Sequence, residues 1–109
     1  MNIIIENNIV TLKFLCKKYK VTRLFVFGSV LSNKFSEKSD IDFLVYFNDD
    51  IPLLDYSDNY FNLKFALEDL FKKNIDLSEG NALKNKYFIE EVESTKQLIY
   101  EQESIEVFA

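Results

Sequence analysis

Phe25-Val26-Phe27-Gly28-Ser29 and Ser39-Asp40-Ile41-Asp42-Phe43-Leu44-Val45 decide the fold, with ten residues between Ser29 and Asp40. The first stretch ends a β-branched and aromatic run over residues 21–27 that reads as a buried strand, halted by glycine. The second alternates. Ile41, Phe43, Val45 and Phe47 take one face of a strand over about residues 40–47, and Asp40 and Asp42 take the other. Residues two apart in a strand lie about 6.5–7 Å apart at Cα, so the two carboxylates are neighbours.

Outward from this pair the chain reads as helix and strand in turn. Ile5, Ile9, Leu12, Cys16 and Tyr19 recur at steps of three and four, which predicts one amphipathic helix before the first strand. Residues 30–39 are mixed, and their second half is loop-like. After Asn48-Asp49-Asp50 and Pro52, the spacing of Tyr56, Tyr60, Leu63, Leu67 and Leu70 predicts a helix over about residues 54–72. Asn74-Ile75-Asp76-Leu77 reads as a short third strand, and Ser78-Glu79-Gly80-Asn81 as a turn. Phe88, Val92, Thr95 and Ile99, with Ile89 and Leu98, predict a last helix. The sum is an α/β (α+β) domain over residues 1–101, a small mixed three-stranded sheet with helices, and a tail over 102–109. A helix between the second and third strands suits a parallel crossover; the short first connection suits an antiparallel pair. In the tail, Ser104-Ile105-Glu106-Val107-Phe108 alternates polar and apolar residues, as an added edge strand or a disordered terminus would.

The chain has 109 residues, 48% of them hydrophobic, which suits one domain with one modest core. Its formal charge is −5, so bulk binding to a nucleic-acid backbone is not expected, although a local site can still hold a small anion. There is one cysteine, Cys16, and no internal disulfide can form; a cytoplasmic setting fits this. The first residues have no basic region and too short an apolar run for a signal peptide or a membrane span. Histidine is absent. That removes imidazole catalysis and, with a single cysteine, a zinc site. Any bound metal is then hard and oxygen-ligated, and a carboxylate is the leading general base.

Each candidate site residue has an ordinary reading as well. Gly28 permits close backbone approach and Ser29 can donate to phosphate, yet Gly-Ser also simply ends strands. Two aspartates on one face of an apolar strand repel each other and lose solvation, costs that a divalent cation removes; a solvated strand start, with Asp40 capping a turn, is the more ordinary explanation of the pair alone. Asp76 sits between Ile75 and Leu77, where a carboxylate is uncommon unless it faces solvent or orders the next turn.

Taken together, the segments Phe25 to Ser29, Ser39 to Val45 and Asn74 to Leu77 resemble the DNA polymerase β-type nucleotidyltransferase superfamily. The closest likeness is to its minimal nucleotidyltransferases (MNT), and it spans about residues 8–101. The resemblance implies magnesium-dependent transfer of a nucleoside monophosphate, AMP from ATP being the leading case, onto a hydroxyl. Asp40, Asp42 and Asp76 would hold two magnesium ions. Gly28 N–H and the Ser29 hydroxyl would hold the β- and γ-phosphates, and Asp76 would also help remove the acceptor's proton. The run Val30-Leu31-Ser32-Asn33-Lys34-Phe35 departs from the family, in which a small residue and an Arg-Gly pair commonly follow Gly-Ser. Lys34 or Lys38 would supply the missing positive charge.

The family also implies a small helical HEPN-type partner protein, with the chain acting as an antitoxin. A homo-oligomer is the other expected assembly, since the helix over 54–72 carries more aromatics (Tyr56, Tyr60, Phe61, Phe65, Phe71) than one face can bury. The competing class is a binding module that keeps the fold and holds a partner without chemistry.

Overall fold

The computed structural model describes residues 2–103. Two short helices, α1 (Ile3–Asn7) and α2 (Ile9–Lys18), lead into strand β1 (Val21–Phe27) and a 3-10 turn (Gly28–Leu31). Strand β2 (Ile41–Phe47), helix α3 (Leu53–Phe71) and strand β3 (Ile75–Glu79) follow. A second 3-10 turn (Gly80–Ala82) leads to α4 (Lys86–Thr95) and β4 (Gln97–Glu101). The sheet has four strands in the order β3-β2-β1-β4. β1 runs antiparallel to both β2 and β4, while β2 and β3 are parallel, as their helical crossover requires.

The sheet is covered on both faces. Leu24, Val26, Ile41, Phe43, Val45, Phe47, Ile75 and Leu77 turn toward α1, α2 and α3, where Ile5, Leu12, Cys16, Leu63, Leu67 and Phe71 complete the main core. Phe25, Phe27 and Leu44 turn the other way, toward Val92, with Leu83 and Phe88 packed against them. No polar or charged residue is buried among the described residues, so burial is almost wholly hydrophobic in origin. Burial pushes the Cys16 thiol up to about 12, which leaves it an inert core residue.

Three expectations need correction. The first helix is broken at Asn8, whose side-chain amide donates to Ile4 O at 2.8 Å and whose backbone N–H donates to Ile5 O at 3.1 Å. The sheet has a fourth strand, because Lys96 turns extended (φ −59°, ψ 145°) and Ile99 then lies in β4 instead of continuing the last helix. Ser78 and Glu79 belong to β3 rather than to a turn. There Tyr56 Oη donates to Glu79 Oε2 at 2.5 Å, binding α3 to the far end of the strand. Of the α3 aromatics, Phe71 is buried and Tyr56 and Tyr60 pack on the main core. Phe61 and Phe65 stack on each other in the open, 47% and 59% exposed. The alternating segment 104–108 lies outside the described residues.

α3 ends on Lys72 in the left-handed region (φ 54°), its N–H donating to Glu68 O at 2.9 Å. A side chain there costs about 1–2 kcal/mol relative to glycine, partly offset by the greater freedom glycine has when unfolded. The exposed Lys72–Asp69 ion pair contributes little. Lys72→Gly is therefore expected to stabilise the fold by about 0.5–1 kcal/mol. Urea unfolding of the two proteins checks this, and an unchanged or lower midpoint contradicts it.

Candidate active site

The site lies where β1 ends and β2 and β3 begin. Register builds it. Asp42 is paired with Phe27 across the antiparallel ladder and with Asp76 across the parallel one. Paired residues of adjacent strands point to the same face at a strand spacing of about 4.8 Å, so Asp42 and Asp76 stand side by side. Their face is the one that carries Phe27 and Leu44, away from the main core.

Gly28 follows Phe27 with φ +77°, a conformation glycine adopts freely and other residues rarely. A Cβ at this position would overlap Asp42 Oδ2. The glycine therefore does two things: it turns the chain out of β1, and it lets the backbone come up against the carboxylate. Ser29 lies inside the following 3-10 turn rather than capping it; its carbonyl accepts from both the N–H and the Oγ of Ser32, each at 2.9 Å.

Asp40 stands just ahead of β2 and is exposed, as is Asp76. Asp42 is half-buried between them. Burial first, then the negative charges of Asp76 and Asp40, push its carboxyl up from 3.8 to about 6. Concentrated negative charge at one residue fits a hard divalent cation, and the donor set is all oxygen. Among the described residues no three carboxylates stand close enough together to make a metal site by themselves. The open arrangement suits an ion that shares its ligands with a substrate's phosphates.

The two lysines differ. Lys38 lines a cavity together with Ser39, Asp40, Glu68, Lys72 and Lys73. Lys34 is exposed on the same loop but does not line that cavity; its backbone N–H donates to Ser32 Oγ at 3.2 Å. Val30 is buried and Leu31 packs on the main core, so the segment after Ser29 serves packing where the family commonly carries charge. One residue that the sequence does not single out is Lys73, whose ammonium reaches the loop ahead of Asp40. In the sequence it is half of a Lys-Lys pair at a helix end, which reads as solvated charge.

Residues 10–105 match the family model described as polymerase beta, nucleotidyltransferase. A relative from Methanocaldococcus jannaschii, named as a protein adenylyltransferase, is 40% identical over 88 residues, 81% of this chain and 84% of the relative. A solved structure described as a minimal nucleotidyltransferase superposes with a TM-score of 0.70 at 28% identity, covering 89% of this chain and 95% of its own. A second is a tri-AMPylated HEPN toxin of Shewanella oneidensis in complex with its MNT antitoxin. It matches with a TM-score of 0.61 at 17% identity, over 89% of this chain and 72% of the other. The fold is that of a minimal nucleotidyltransferase. The chain belongs to the polymerase β nucleotidyltransferase family and is a nucleotidyltransferase.

Proposed function

We propose that this chain moves AMP from ATP onto a hydroxyl of a partner protein, with Asp40, Asp42 and Asp76 holding the metal and Gly28-Ser29 receiving the β- and γ-phosphates. The observation that carries the reading is the register that sets Asp42 between Gly28 and Asp76. Magnesium held by these carboxylates would neutralise the triphosphate and stabilise charge that develops in the transfer. The chain's own part is placement. Gly28 presents a backbone without a side chain to the phosphates, and Ser29 adds a hydroxyl. Lys38 supplies a cation on the Asp40 side. The acceptor oxygen forms a bond to the α-phosphorus in line with the leaving group. The α–β phosphoanhydride bond breaks, and pyrophosphate leaves with the bonding electron pair. The acceptor's proton passes to Asp76, which is exposed and can release it to water. Alignment and charge compensation supply most of the rate.

A protein acceptor is supported by the naming of the relative and by the toxin–antitoxin neighbour, in which a HEPN protein carries AMP. That neighbour also lends support to an antitoxin role. The exposed Phe61 and Phe65, with Leu53 and Leu54 at the head of α3, supply an apolar surface for such a partner or for a second copy of this chain. The charge of −5 favours neither option but disfavours nucleic acid as acceptor. No described helix is long and apolar enough to cross a membrane, which is compatible with a cytoplasmic setting.

The second reading, a binding module with weak chemistry, is favoured by the burial of Val30 and the core packing of Leu31 where cationic grip is otherwise expected. Incubation with α-labelled ATP, magnesium and a co-purified partner separates the two. Label is expected on the partner and is expected to vanish in Asp42→Ala. Equal partner binding by both proteins, with no label from either, selects the module.

A further inference from the structure

We infer that Lys73 is a positioning residue for the acidic site, an inference that rests on reading Asp40, Asp42 and Asp76 as metal-holding. Lys73 lies between the left-handed end of α3 and the start of β3. Its Nζ donates to three backbone carbonyls of the loop ahead of β2: Glu37 O at 2.6 Å, Ser36 O at 3.2 Å and Ser39 O at 3.3 Å. An ammonium has three hydrogens, and three acceptors use them all. The same nitrogen stands 4.9 Å from the centre of the Phe35 ring, which packs on the main core.

The loop it holds is also closed on itself. Ser39 N–H donates to Ser36 O at 3.0 Å, and Ser36 N–H donates to Ser39 Oγ at 3.1 Å. Lys73 pins this closed turn to the end of α3. The next residue, Asn74, accepts from Ile41 N–H at 3.3 Å through its carbonyl. Lys73 and Asn74 therefore hold the backbone on both sides of Asp40, at Ser39 and at Ile41. Two residues beyond Asn74 the same segment delivers Asp76. The position of Asp40 relative to Asp76 is thus set by one short piece of chain.

A lysine whose hydrogens all go to carbonyls is not free to grip phosphate, so its contribution is to geometry. Its charge adds to this, since the carbonyl of Ser39, one residue before Asp40, is among its acceptors. A guanidinium spreads its donors over a planar fork instead of gathering three on one nitrogen, so arginine replaces Lys73 incompletely.

The test uses Mn2+ as the probe and the full chain without nucleotide. In Lys73→Met the Mn2+ dissociation constant, read by electron paramagnetic resonance, is expected to rise roughly tenfold, as for other residues that orient metal ligands. Amide exchange over residues 36–41 is expected to quicken while that of β1 and the middle of α3 stays at the parent's rate. Lys73→Arg should recover part of the affinity. If the methionine variant folds poorly, Lys73→Gln replaces it and is expected to show the same loss of affinity and the same local exchange. Unchanged exchange over 36–41 overturns the inference whatever the metal does. Parent-like Mn2+ affinity in Lys73→Met, alongside loss of binding in Asp42→Ala, overturns it too and leaves the metal reading standing. Equal Mn2+ binding by parent and Asp42→Ala instead defeats the metal reading.

Discussion

Asp42→Asn is expected to lose nucleotidyl transfer by about three orders of magnitude while gaining stability in metal-free buffer. The two effects share one cause. Asp42 is half-buried, stands beside Asp76 and near Asp40, and its carboxyl is pushed up from 3.8 to about 6 by burial and by those two charges. An ionised Asp42 is therefore a strain on the folded chain, which a cation would relieve under the proposed function; the amide removes the strain and, under that proposal, a metal ligand. The folded carboxyl holds its proton to higher pH than the unfolded one does. As pH rises from about 4 to 6, the unfolded chain has released a proton that the folded chain retains, so stability falls through that window. The full loss stands above about pH 6. Because the group is partly open to solvent, the gain in Asp42→Asn at pH 7.5 is expected to be about 1 kcal/mol, well short of what the whole shift would give. Urea unfolding in EDTA at pH 4 and 7.5 reads it. A variant less stable than the parent at pH 7.5 would show that repulsion is not what shapes the site.

Gly28→Ala is expected to cost about 1–2 kcal/mol of stability and about a hundredfold or more in transfer rate. The stability cost comes from holding a side chain at φ +77°. The rate cost is larger because the new methyl overlaps Asp42 Oδ2, so the carboxylate must swing away from the position it would take in the proposed transfer. Gly80 provides a control of the same kind. A Cβ there would overlap the Tyr46 ring, away from the carboxylates, so Gly80→Ala should lose stability but keep its rate per folded molecule. Equal activity losses in the two variants, measured at a temperature where both are folded, would mean that Gly28 acts only through the fold.

Much of this is legible in the amino-acid sequence alone. The alternation of Ile41, Phe43, Val45 and Phe47 against Asp42 is the division between core and site that the sheet displays. Asp76 stood out because a carboxylate between Ile75 and Leu77 needs a reason, and its pairing with Asp42 is what the structure adds. β4 was hidden because Ile99 continues the spacing of Phe88 and Val92, and no glycine or proline marks the break at Lys96. Only the long-range pairing with β1 makes Leu98, Ile99 and Tyr100 a strand. The break at Asn8 was masked in the same way, since Ile5 and Ile9 stay in helical step across it. Lys73 could not be found from sequence at all, because its partners are carbonyls, and every residue has one.

The parallel pairing of β2 with β3 has a consequence for how the molecule comes into being. β1 and β2 can meet early, since a short loop joins them. Asp42 meets Asp76 only after all of α3 has been made, folded and laid across the sheet. Contacts distant in sequence carry a loop-closure cost and form slowly. Asp42 and Asp76 also bring two like charges together as they form that contact. The expected order of assembly places the acidic site after the pairing of β1 with β2, so that a partly folded chain has the start of a sheet before its two aspartates meet.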